Sequence, residues 1–257
     1  MRKMRSALFF AGLGIAALCS TESALAVLSS SRLVYGFTYS SNQDTEARDS
    51  SQQAEATDSN GNPTASGAGG MSHYHGNLSD KGTMTVQLER QQPDGGLIVS
   101  ISEQGENVRR APAATCVVYG NTNVICDPNK TVYSEEYSLL RFLGANFVDP
   151  SQLDANKHWS IVRNSSSQDV TSDYTINSNN GGMMQISEKR TIKDAGAGHL
   201  TSDVETKIGY DFTRGLPTTV DEYVQQHVDS GLKGNTTTTY QTTLSLVSSS
   251  SAAAAGP

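Results

Sequence analysis

The chain has 257 residues and a formal net charge of −7, with 36% hydrophobic and 18% charged residues. Its polarity comes from uncharged Ser, Thr, Asn, Gln and Gly, which sets it apart from highly charged disordered chains and from basic nucleic-acid binders. An acidic surface repels phosphates, so nucleic acid is excluded as an expected partner.

The first 26 residues read as an export leader. Arg2, Lys3 and Arg5 precede the apolar run Leu8 to Leu18, and Ser23-Ala24-Leu25-Ala26 supplies the small-x-small pattern of a cleavage site. The apolar run is too short to cross a hydrocarbon core, and no second run replaces it, so the chain is expected not to be transmembrane once the leader is cut after Ala26. Cys19 follows Leu18, where lipoprotein processing requires a small residue. The shape resembles a bacterial Sec signal and implies a secreted or periplasmic location.

Residues 33–39 alternate, with Leu33, Tyr35, Phe37 and Tyr39 sharing one side of a half-buried strand. Segment 41–72 has almost no large apolar residue and reads as a disordered insert, because it cannot bury enough surface to offset its ordering entropy. Within it, Asp58-Ser-Asn60-Gly-Asn62 imitates a calcium loop, but Pro63 and Gly69 stand where Gly and Glu are needed. His73 and His75 would share a strand face and could reach one metal; no third ligand is evident, so no metal site is assigned.

Met84, Val86 and Leu88 resume the alternation, Pro93-Asp94-Gly95-Gly96 makes a turn, and Leu97, Val99 and Ile101 return. Cys116 and Cys126 flank a Gly-Asn-Thr-Asn turn, and a hairpin centred on Asn121 sets them directly opposite one another. A disulfide is expected, closing a short loop that contributes about 3 kcal/mol at most. Thr131, Val132 and Tyr133 extend this hairpin in the same reading.

The period changes at Ser134. A capping Ser, first-turn acids Glu135 and Glu136, the apolar set Leu139, Leu140, Phe142 and Leu143, and a stop at Gly144 predict one helix. Its Leu139/Leu143 stripe is expected on the sheet, with Leu140 and Phe142 to either side. A short turn is expected over Asp149 to Leu153, and Trp159, the only Trp, reads as a core plug. Strands follow over 157–162, 170–176, 183–193 and 200–213. Val220–Val228 fits either period, and the Thr-rich 236–246 tips it toward an antiparallel hairpin. Segment 248–257 reads as a disordered Ser/Ala tail. The four sequons at Asn77, Asn129, Asn164 and Asn235 are expected to stay unused in bacterial export.

The predicted fold is mainly β: one domain over 27–247 in which a curved antiparallel sheet or open barrel covers one apolar helix, with a two-sheet sandwich as the alternative. This order of strands and helix resembles the open barrels of periplasmic lipoprotein carriers, the LolA/LolB-like class. The resemblance rests on architecture and carries no residue across. It implies a non-enzymatic protein that binds an apolar ligand or a protein partner on a concave face; in this sequence Tyr35, Phe37, Met84, Leu140 and Phe142 are the residues expected to line that face. The alternative is a hydrolase with an unrecognised polar site. No G-x-S-x-G elbow occurs, the five histidines do not converge by sequence, Glu135 and Glu136 point apart on a helix, and no cofactor is expected.

Overall fold

The computed structural model describes residues 31–48, 71–107, 110–144, 147–148, 157–194, 199–230 and 234–251. The export leader, the Asp58 motif, the 149–153 turn and the end of the Ser/Ala tail lie outside the described residues.

Eleven strands form a single antiparallel sheet. They are β1 (Ser31–Arg48), β2 (Met71–Gln91), β3 (Leu97–Gly105), β4 (Arg110–Val118) and β5 (Val124–Cys126), then β6 (His158–Asn164) and β7 (Gln168–Asn180). The series ends with β8 (Met183–Asp194), β9 (Leu200–Asp211), β10 (Leu216–Asp229) and β11 (Gly234–Ser251). The order across the sheet is 5-4-3-2-1-11-10-9-8-7-6, so β5 and β6 are its free edges and the sheet is open. Two consecutive meanders are thus joined where β1 pairs with β11. The two-sheet sandwich is not what the chain adopts. Val220–Val228 lies inside β10, as its pairing with the Thr-rich strand demands.

Strict alternation of burial makes one face of this sheet the core. In β9, Ser202, Val204, Thr206, Ile208 and Tyr210 point inward while their neighbours are exposed or half-buried, apart from buried Gly209. Register shifts at Val34/Tyr35, Leu88/Arg90, Ile101/Glu103, Ile176/Ser178 and Pro217/Thr219 mark the bulges that help such a sheet curl. Gly82, opposite Gly105, is obligatory: a Cβ there would stand 2.1 Å from the Gln104 carbonyl oxygen.

Several boundaries differ from the sequence reading. The sheet claims 41–48 and 71–72 from the expected insert, and 248–251 from the expected tail, because backbone ladders hold these polar stretches without apolar side chains. Residues 49–70 and 252–257 lie outside the described residues. β5 stops at Cys126, and Asp127–Lys130 turns the chain instead of extending the hairpin through Tyr133. β4 begins at Arg110, a strand start that Pro112 and small alanines conceal. Cys116 is paired with Cys126 and bridged to it, and Val117–Ile125 and Val118–Val124 follow in the same register.

One helix is present among the described residues, α1 (Ser134–Leu140). Its cap is the extended Tyr133, whose N–H donates to Glu136 Oε2 at 2.8 Å; Ser134 is already helical and donates to Glu135 Oε2. The helix ends short of Gly144. The next two turns tighten to i→i+3 bonds, Phe142 N to Leu139 O and Leu143 N to Leu140 O, before the chain turns onto the sheet.

Candidate functional site: a charged row and a cavity on the inner face

The inner face is ordered in rows, because directly paired residues on successive antiparallel strands share a side. One row is wholly apolar: Ile176, Ile186, Ile208, Val220, Leu244 and Phe37. Two residues along each strand, the neighbouring row reads Tyr174, Glu188, Thr206, Glu222, Thr242 and Tyr39. The row beyond that brings Arg190, Val204, Val224 and Tyr240 side by side.

The chain after α1 fills the apolar end. Phe142, Leu143, Phe147 and Val148 are buried there. Phe147 sits edge-on to Phe142, Trp159, Tyr174 and Tyr210 with ring centres 5.0–6.0 Å apart, and Trp159 stacks on Tyr174. Trp159 is therefore the plug its sequence position suggested. Tyr210 Oη donates to Gly144 O at 2.7 Å and Tyr35 Oη to Pro217 O at 2.8 Å, and burial pushes both phenols up.

The second row carries buried charge. Arg141, delivered by the turn after α1, lies over the Phe142 ring and bonds both acids, Glu188 through Nη2 and Glu222 through Nη1 at 3.2 Å. Tyr174 Oη donates to Glu188 Oε1 at 2.8 Å and Thr206 Oγ1 to Glu188 Oε2 at 2.9 Å. The Ser138 hydroxyl stands between Glu222 Oε1 and the Ser134 carbonyl, which fastens the helix to β10. Burial alone would push Glu188 up. Arg141, Arg190 and the bonds from Arg141 and Tyr174 outweigh it and hold the carboxyl at about 2, against an ordinary 4.5. For Arg141, burial opposes the charge, and the two acids and Tyr174 restore it above the usual guanidinium value.

Beyond this row the inner face is open. A cavity of about 400 Å³ lies between α1 and strands β8–β11. Tyr137, Tyr39, Tyr240, Val204, Val224 and Ile192 supply its apolar walls; Ser134, Ser138, Arg141, Arg190, Glu222 and Thr242 line one end, and Ser202 and Gln226 the other. Such a volume sits within the range of about 300–1,000 Å³ typical of small-molecule sites.

The five residues predicted to line a ligand site lie elsewhere. Tyr35, Phe37, Met84, Leu140 and Phe142 are all in the packed core, none more than 3% exposed, and none borders this cavity. Leu139 and Leu143 are buried just as deeply, so burial does not set the two sides of α1 apart. Parity was the available signal for what was missed: Met184, Ile186, Glu188, Arg190 and Ile192 alternate together, and so do Val220, Glu222, Val224 and Gln226. A charge on the apolar side of a strand is the mark of a buried polar network.

The histidines are dispersed. His75 pairs with Asp44 and His73 lies 3.9 Å from Glu46, all four well exposed on β1 and β2. His158 and His227 face Thr175 and Thr237 on other strands. Among the described residues no group of three His, Cys, Asp or Glu is placed to hold a metal ion, and no helix is long and apolar enough to cross a membrane.

No protein-family model matches the chain, and no curated protein matches it. Among solved structures, a lipovitellin structure described by its lipid–protein interactions is similar over 89% of this chain, at 9% identity and a TM-score of 0.43. The match spans 26% of that lipovitellin chain.

Proposed function

We propose that the protein is an exported, non-enzymatic binding module that admits an apolar or amphipathic ligand to the open end of its inner face. The cavity between α1 and β8–β11 carries this reading: aromatic and aliphatic side chains form part of its wall between polar groups at either end. The plan of one antiparallel sheet over one helix among the described residues supports it. In this reading Tyr35, Phe37, Met84, Leu140 and Phe142 form the solid floor behind the site. Export to a periplasmic or extracellular space is supported by the Cys116–Cys126 bridge, since disulfides persist in oxidising compartments.

An environment-sensitive apolar dye, N-phenyl-1-naphthylamine, tests the reading. The parent protein should enhance its fluorescence saturably, and Val224→Trp, which fills the cavity, should abolish the enhancement while leaving the circular dichroism spectrum unchanged. No enhancement by the parent, or equal enhancement by the filled variant, would overturn the proposal. A native mass spectrum of protein purified from its own host would then weigh the ligand.

A further inference from the structure

The charged groups that border the cavity are two guanidiniums, Arg141 and Arg190, and one carboxylate, Glu222. Glu188, which also pairs with Arg141, lies behind them and does not border it. With Glu188 behind the wall the four buried charges balance, two guanidiniums against two carboxylates, but guanidiniums make up two of the three that face the cavity.

The two arginines share a buried Nε without a hydrogen-bond partner and differ at their terminal nitrogens. Arg141 is bonded to both acids through its two terminal nitrogens. Arg190 has an ion-pair contact with Glu222 at 3.6 Å, beyond hydrogen-bond reach, its side chain is only 11% exposed, and its buried Nε has no hydrogen-bond partner. A guanidinium offers five donors in a planar fork suited to a carboxylate, so this one is under-used where it stands. Burial first, and repulsion from Arg141 second, pull its affinity for a proton below the usual value, which an added anion would relieve.

Arg190 on β8 also begins a ladder row that continues through Val204 on β9 and Val224 on β10 to Tyr240 on β11. Three strand spacings of ~4.8 Å make this an apolar track about 14 Å long leading away from the guanidinium.

We propose that the cavity binds a single-chain amphiphile with a carboxylate head, the head on Arg190 and the tail along Val204, Val224 and Tyr240. This assignment rests on the binding-module reading and adds the head group and the orientation. A carboxylate fits the planar fork of Arg190 and brings a single negative charge. A phosphate monoester, at about −1.5 to −2, would bring up to twice that charge beside Glu222.

Calorimetric titration of the whole protein with dodecanoate, dodecanol, dodecylammonium and dodecyl phosphate, each below its micellar concentration, tests it. Dodecanoate should bind about tenfold or more tighter than dodecanol, as a charge-assisted hydrogen bond implies, with dodecylammonium weakest and dodecyl phosphate weaker than dodecanoate. In Arg190→Gln the preference for dodecanoate over dodecanol should collapse toward unity. If that variant fails to fold, Arg190→Lys, which keeps the charge and loses the fork, should narrow the same preference several-fold. Equal binding of acid and alcohol by the parent, tighter binding of the phosphate, or an unchanged preference in whichever variant folds would overturn the head-group assignment and leave the binding module standing. Binding of none of the four would overturn both.

Discussion

The two ends of the inner face are built on the same strands and treated oppositely. At one end the chain folds back after α1 and packs Phe142, Leu143, Phe147 and Val148 against Trp159, Tyr174 and Tyr210. At the other, two to four residues further along β8–β11, about 400 Å³ stays open beside the half-buried Val224 and Ile192, with Val204 buried at its floor. Between them runs the Glu188–Arg141–Glu222 row. An apolar surface left uncovered beside a fully built core is not an economy of stability, because covering it would add to the hydrophobic driving force. What separates the ends is the row of charges, which terminates the packed core and gives the open end a polar boundary.

Removing the plug should cost most. Phe147→Ala deletes the ring that four aromatic neighbours enclose and should destabilise the protein by about 3–5 kcal/mol in urea denaturation. A loss under about 1 kcal/mol would mean that the packed end is less solid than its geometry implies.

Arg141→Met tests the boundary. It strands Glu188 and Glu222 without their shared cation, and about 3 kcal/mol should be lost near neutral pH, the lower end for a broken buried pair because Arg190 remains beside Glu222. The pH dependence has a definite sign. Glu188 is depressed in the folded parent, so its contribution is complete above its ordinary 4.5 and is lost as pH falls toward about 2. In Arg141→Met, burial raises that carboxyl instead, so the gap between parent and variant should narrow as denaturation is repeated from pH 7 down to pH 3. A constant gap would disconnect Glu188 from Arg141.

Val224→Ala tests the open end. Because the side chain is only half-buried, the loss should stay within about 1 kcal/mol, while dye affinity falls. A loss as large as a core truncation would show that the site is not free for a ligand. Smallest of all, Asp44→Asn should shift stability by no more than about 0.5–1 kcal/mol, since its His75 partner is largely exposed.

The two ends were also unequally legible in sequence. The packed core announced itself by alternation in Leu33–Tyr39, Met84–Leu88 and Ile208–Tyr210, and the bridge followed from the symmetry of one hairpin about Asn121. The outer reaches of β1, β2 and β11 did not, because Ser40–Asp44, Asn77–Ser79 and Ser248–Ser251 are held by main-chain ladders, to which hydropathy is blind. The charged row was hidden for a related reason: Glu188, Arg190 and Glu222 occupy inward positions that a reading of polarity assigns to solvent. Arg141 was harder still, since its partners lie 47 and 81 residues away and meet it only once the sheet has curled.

The place where the first and last strands meet has a consequence for the timing of assembly. β1 and β11 lie side by side at the centre of the sheet, with Ser31 opposite Ser251 and Tyr35 opposite Leu246. Five strands can zip together as the first meander emerges, yet Leu33, Tyr35 and Phe37 wait for their neighbour until the final strand has been made. A junction between strands so far apart in sequence is slow to find and cannot form before β11 has been made. The sheet therefore stays in two halves, with one long strand edge of each unpaired, until β11 arrives to join them.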